Sequence, residues 1–228
     1  MKIFLTGATG NIGSDILDLC LKHPKITTVV AFTRRQLPDD VTANSKLETI
    51  VVQDWKNWPE DVLAGHRDAV GMIWAVGSSD GNPDVDLEYP MAFQRALIKD
   101  RETHFDADVP KFTHVHLSGR FVVQDQDASL YFLSARRKIK GRHDTAAMEL
   151  AGQHKTWWSL YIVKPGLILT RRVYAAGLLH GVFGGKSTVW SRELAACMAH
   201  LALGGEEKQT ILLHEDIVQK GAEQLREL

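Results

Sequence analysis

The sequence predicts a single doubly wound α/β domain, a mostly parallel sheet of about seven strands with helices on both faces. Three observations predict it. The chain opens with a short apolar run, Ile3-Phe4-Leu5, that leads into the glycine-rich turn Thr6-Gly7-Ala8-Thr9-Gly10-Asn11-Ile12-Gly13. An amphipathic stretch follows, with Ile12, Ile16, Leu17, Cys20 and Leu21 on one helical face. Further apolar runs of strand length then alternate with helical patterns along 228 residues, 44% of them hydrophobic, enough for a sizeable core.

Strand, glycine turn and helix form the context in which a dinucleotide is bound. Gly7 permits a tight turn off the strand, Gly10 lets backbone approach a pyrophosphate, and Gly13 lets the helix pack closely on the sheet. The phosphates then face the amides around Thr9, Asn11 and Ile12, at the positive end of the helix dipole. The spacing is G-x-x-G-x-x-G. At this point the sequence resembles the short-chain dehydrogenase/reductase superfamily in its atypical branch, whose motif is commonly TGATGxxG. The alternative reading is a strand–helix turn whose glycines serve packing alone.

Pro24 ends the first helix, and Thr27–Thr33 reads as the second strand. An NAD-preferring site places Asp or Glu about 20 residues past the glycines, on the ribose 2′-hydroxyl. Here Thr33-Arg34-Arg35 occupies that place, a guanidinium pair suited to a 2′-phosphate, with no carboxylate to repel it. The expected cofactor is NADP; otherwise these are two solvated arginines. Residues 36–45 read as a loop with a short helix, and Leu47–Gln53 as the third strand, ending in Asp54. The resemblance implies that Asp54 contacts the adenine amino group. Pro59–Gly65 is a brief helix and Ala69–Ala75 the fourth strand, running into Val76 and Gly77, where related proteins pass the ribose and diphosphate. Pro90 is placed to begin a helix through Phe93, Ala96 and Leu97.

Phe112–Leu117 is the fifth strand. His114 and His116 share a face, but no third ligand has recognisable metal spacing, so no metal is expected. Ser118 stands where open α/β sheets bind ligands, and the resemblance implies a hydrogen bond to a substrate carbonyl. In superfamily reductases the next helix carries Tyr-x-x-x-Lys, in which lysine lowers the tyrosine pKa and tyrosine delivers the proton. Lys140-Gly141 matches the lysine position, yet four residues earlier stands Arg136. Tyr131 has Ala135 at its own fourth position and Lys138 at its seventh, roughly 10 Å along a helix. The usual acid is missing. Arginine holds its proton below a pKa of about 12 and can only stabilise an anion. Tyr131 remains a candidate donor, or else an aromatic anchor.

Trp157–Val163 is the sixth strand, followed by Pro165-Gly166, which the resemblance places at the nicotinamide ring. Residues 171–190, aromatic and glycine-rich, read as a short substrate-covering segment, or alternatively a packed loop or dimer contact. Ser191 caps a helix carrying Leu194, Ala195, Met198 and Leu201. Gln209–Leu213 is a last strand and Glu215–Leu228 a last helix. The whole chain resembles small fungal-type NAD(P)-binding proteins, which implies secondary metabolism.

A net charge of −1 gives no pull toward nucleic acid or anionic membrane. Cys20 and Cys197 both sit in apolar helical patterns, so no disulfide framework is expected. The chain enters its first strand at once, with no room for a signal peptide, and the expected location is cytoplasmic. The expected partner is a small molecule, with a homodimer possible. Three functions fit: an NADPH-dependent reductase of a small carbonyl or imine compound, a non-redox isomerase or cyclase using Arg136 and Lys140 on an anionic transition state, or a non-enzymatic NADP-sensing module.

Overall fold

A computed structural model describes residues 1–104, 110–170, 184 and 187–228. The first strand, β1 (Lys2–Thr6), turns through the glycines into α1 (Asn11–Lys22). There follow β2 (Thr28–Thr33), α2 (Asp39–Thr42), β3 (Leu47–Val51), α3 (Glu60–Ala64) and β4 (Ala69–Trp74). A π-helical turn (Asp84–Glu88) runs into α4 (Tyr89–Thr103), with Pro90 in its first turn, where a missing N–H costs nothing. Then come β5 (Phe112–Leu117), α5 (Ser134–Gln153), β6 (Trp158–Val163), β7 (Leu167–Leu169) and β8 (Thr188–Trp190). The chain ends with α6 (Ser191–Ala202), β9 (Ile211–Leu212) and α7 (His214–Glu227).

Seven strands form one sheet in the order β3-β2-β1-β4-β5-β6-β9, and every pairing in it is parallel. The expected architecture is therefore present. Alternation along each strand feeds two cores. Ile3, Leu5, Val29 and Ala31 face α1 and α6, whereas Phe4, Val30 and Phe32 face α3 and α4. The second face is aromatic: Phe93 packs edge-on to Trp58 with centroids 4.9 Å apart, and Phe112 stacks on Trp158 at 5.2 Å. On the first face α6 lies so close that a Cβ on Gly71 would come within 2.0 Å of the Ala202 carbonyl.

Several local expectations change. The fifth helix starts at Ser134, beyond Tyr131, which the sequence counts along it, because Leu133 takes a left-handed φ of 50° and breaks the helical run. Residues 188–190, expected within the substrate-covering segment, form β8 and pair with β7 as a separate two-stranded sheet. Residues 171–183 of that segment lie outside the described residues. Ser191 is the first helical residue rather than the cap; its Oγ donates to Asp15 of α1, while Glu193 accepts the Trp190 amide at 3.1 Å. The last strand shortens to two residues. Cys20 and Cys197 are buried free thiols, each pushed up to about 12 by burial. Among the described residues no helix is long and apolar enough to cross a membrane.

Candidate functional site

The strand order reverses between β1 and β4, and at such a switch point the carboxyl ends of the strands leave a crevice. Here it is a cleft of about 430 Å³, lined by the glycine turn, the ends of β2 and β4, Trp55 and Tyr89. Thr6 Oγ1 accepts the Ala75 amide at 3.2 Å and so joins the ends of the two central strands. The three glycines have separate physical reasons. Gly7 has φ +79°, and a Cβ there would lie 2.6 Å from the Ala75 carbonyl oxygen. At Gly13 a Cβ would lie 1.9 Å from the Gly7 carbonyl oxygen, so its absence lets α1 seat on the turn. Gly10 differs. It caps α1 in ordinary extended geometry (φ −77°, ψ 165°), and a Cβ would meet only the Gly7 oxygen, at 3.3 Å. The fold makes little demand for glycine at that position, which instead borders the cleft.

No side chain caps α1 and no acid stands in its first turn, so the dipole's positive end is left for an anion. Thr9, Thr33 and Arg34 line the cleft with the glycines, and Thr33 Oγ1 is buried without a partner among the described residues. Arg35 lines an adjoining groove that shares Ala8 and Thr9 with the cleft. Both arginines are exposed and make no ion pair among the described residues. Ala75, Val76 and Gly77 form the opposite wall. Asn11, Ile12 and Gly13 form the first turn of α1 behind it.

Asp54 does not line the cleft. Its carboxylate accepts the Lys56 amide at 2.9 Å and the Asn57 side chain at 2.6 Å, bonds that hold its pKa below the ordinary range. The carboxylate closes its own turn, and the neighbouring Trp55 faces the cleft instead. Tyr131 is fully exposed and does not line the cleft, so it is not a buried aromatic anchor. Pro165 and Gly166 do not line the cleft. Gly166 accommodates the chain itself, since a Cβ would come within 2.5 Å of the Ser187 carbonyl oxygen, and its amide donates to His214 Nδ1 at 3.1 Å.

Lys140 lies behind Gly77, which lines the cleft. Its Nζ donates to Asp86 Oδ1 at 2.5 Å and would lie 3.1 Å from a Cβ on Gly77. Asp86, fully buried on the π-helical turn, also accepts the Ser78 amide at 2.8 Å and the Ser78 hydroxyl at 2.5 Å. A second cluster lies at the ends of β5 and β6. Ser118 Oγ donates to both oxygens of buried Asp144, at 3.1 and 3.2 Å, and Lys164 Nζ lies 2.8 Å from Oδ2. Asp144 and Lys140 are four apart on α5 and therefore share a face. Each serine is thus backed by a buried aspartate–lysine pair. Arg136 stands one turn before Lys140, half-buried against the loop of residues 78–82: a Cβ on Gly81 would come within 2.7 Å of Arg136 Cγ.

Asp86, Asp144 and Lys164 were not assigned roles from the sequence. For Asp144 a signal was available, a carboxylate four residues past Lys140 and so on the same helical face. His116, His143 and Asp144 bring ligand atoms within 4.8 Å of one another. The Lys164 ammonium already neutralises that carboxylate, so the cluster has a cation of its own. The His116 and His143 rings lie 3.9 Å apart, and burial, reinforced by His143, holds His116 well below its ordinary pKa.

A short-chain dehydrogenase from Burkholderia cenocepacia, solved with NADP, superposes with a TM-score of 0.68 at 14% identity, over 99% of this chain and 92% of that one. That match settles the architecture. The chain has the short-chain dehydrogenase/reductase fold. No family model matches the sequence. Among curated proteins, the mitochondrial protein fmp52-1 of Aspergillus oryzae is 24% identical over 96% of both chains. Leucinostatins biosynthesis cluster protein T of Purpureocillium lilacinum is 34% identical over 77 residues, covering 34% of this chain and 28% of that protein. The expected cytoplasmic location is overturned by the relatives of the first kind, which are named as mitochondrial proteins.

Proposed function

We propose that the protein is an NADPH-dependent reductase of a small carbonyl or imine compound. The observation that carries this reading is Gly10, a glycine bordering the cleft whose φ does not require one and where a Cβ would meet a single chain atom, the Gly7 oxygen, at 3.3 Å. A backbone without Cβ, beside an uncapped helix N-terminus, fits a pyrophosphate. Arg34 and Arg35, with no carboxylate at the end of β2, support NADPH over NADH. Lys140, held by Asp86 beside Gly77, is placed to hold the nicotinamide ribose.

NADPH, when bound, supplies the hydride. Ser118 turns its single hydroxyl proton from Asp144 to the substrate carbonyl or imine, and that O–H bond breaks as a new O–H or N–H bond forms on the product. Asp144 carries the replacement proton from the Lys164 ammonium to Ser118 Oγ, and water reprotonates the amine. This chain takes over the task of the absent tyrosine. Arg136 favours a second reading, a non-redox isomerase or cyclase that stabilises an anionic transition state.

The test incubates the protein with a panel of aldehydes, ketones and imines and with NADPH deuterated at C4 on either face. Deuterium in the product supports the reductase. Product formed with no deuterium and no cofactor consumed rejects it in favour of the second reading. The relatives' names support a mitochondrial location, and the leucinostatin-cluster relative supports a place in secondary metabolism.

A further inference from the structure

Three cations are contributed to the site by α5 and the end of β6. Two are neutralised: Lys140 by Asp86, Lys164 by Asp144. Arg136 makes no hydrogen bond and no ion pair among the described residues, although it is half-buried on the face of α5 that carries Lys140. Its stem packs against Gly81, whose amide donates to Ser78 Oγ at 2.9 Å, and Ser78, Ser79 and Asp80 of the same loop line the cleft. An uncompensated guanidinium on a half-buried arginine, beside the loop whose residues 78–80 line the cleft and on the face of α5 that carries Lys140, is suited to receive an anion.

We propose that Arg136 binds a carboxylate of the substrate, so that the compound reduced is an oxo acid or the imine derived from one. The inference rests on the reductase reading above. The helix also sets the spacing. Arg136 precedes Asp144, the partner of Ser118, by eight residues, or roughly 12 Å along the axis. Side chains lean toward the helix N-terminus, which carries the guanidinium further from Ser118. A carboxylate at Arg136 and a carbonyl at Ser118 therefore belong to opposite ends of one molecule, separated by several bonds. A 2-oxo acid is too short to reach both. The planar fork of the guanidinium pairs two N–H groups with the two oxygens of a carboxylate.

The test uses hexanoate, its neutral counterpart hexanamide, and inorganic phosphate as probes. Each is titrated calorimetrically into the full chain, with and without saturating NADPH, whose own binding is measured first. Hexanoate should bind and hexanamide should bind at least about tenfold more weakly. Arg136→Gln should remove that difference, and Arg136→Lys should restore part of it. Arg136 makes no internal hydrogen bond, so thermal melting should show both variants folded. No binding of hexanoate by the unmodified protein, equal binding of acid and amide, or undiminished binding by Arg136→Gln each overturns the inference. Phosphate bound through Arg136 in preference to hexanoate overturns the carboxylate. Absent NADPH binding with Arg136-dependent hexanoate binding would instead reject the cofactor reading and keep the anion site.

Discussion

Gly10 and Gly13 sit three residues apart in one turn and answer to different demands. A methyl group on Gly13 meets the Gly7 carbonyl at 1.9 Å, backbone against backbone, so Gly13→Ala should push α1 off the sheet and abolish cooperative folding. A Cβ on Gly10 meets no atom of the chain closer than 3.3 Å. Gly10→Val should therefore melt within a few degrees of the unmodified protein yet lose its stabilisation by NADPH in a thermal-shift assay. Lys164 allows a similar separation. Lys164→Arg keeps a cation beside Asp144, but a guanidinium with a pKa above about 12 does not release its proton. Turnover should fall by roughly 10²- to 10⁴-fold with NADPH affinity kept. Lys164→Met should leave the Asp144 charge buried and unpaired, costing about 3–5 kcal/mol in urea denaturation. Equal turnover by Lys164→Arg would remove Lys164 from the proton path.

At the scale of elements, β5 carries its own pH signature. His114 is buried, and desolvation together with nearby His143 lowers its pKa from 6.5 to about 3. His116 shifts the same way. Both stay neutral in the folded chain at pH values where the unfolded chain binds protons. Stability from these groups is complete above about pH 6.5 and is lost as pH falls toward 3. Each contributes a slope of up to about 1.4 kcal/mol per pH unit. His114→Phe should flatten the fall in urea midpoint between pH 6.5 and 4 by about one proton's worth. An unchanged slope would show that the ring is already protonated there. The strands and long helices were legible in the sequence because apolar runs and helical periodicity persist over five residues or more, as in β2, β4 and α1. Short pieces were not. The three-residue strands β7 and β8 carry no period, and the π-helical turn before α4 leaves no pattern distinct from a helix. The onset of α5 was misplaced because nothing in the residue Leu133 announces a left-handed backbone. Gly7, Gly10 and Ser118 were readable because they end strands or punctuate turns, and Lys140 because it matches the family's lysine position. Asp86 and Asp144 were not, since their roles exist only through lysines 54 and 20 positions away.

The whole molecule has a cleft at the β1–β4 switch point, which in our proposal holds the cofactor beside a reaction site without the usual tyrosine. The architecture shared with a dehydrogenase solved with NADP does not by itself carry chemistry. The cleft has to be shown to hold the cofactor, and the arginines at the end of β2 to choose it. The most direct measurement is a calorimetric titration of NADPH and of NADH into the unmodified protein and into Arg34→Ala. The account predicts NADPH binding at least tenfold tighter than NADH, a difference of about 1.4 kcal/mol, with most of it gone in Arg34→Ala. Equal affinities for the two cofactors in the unmodified protein, or no binding of either, would contradict it.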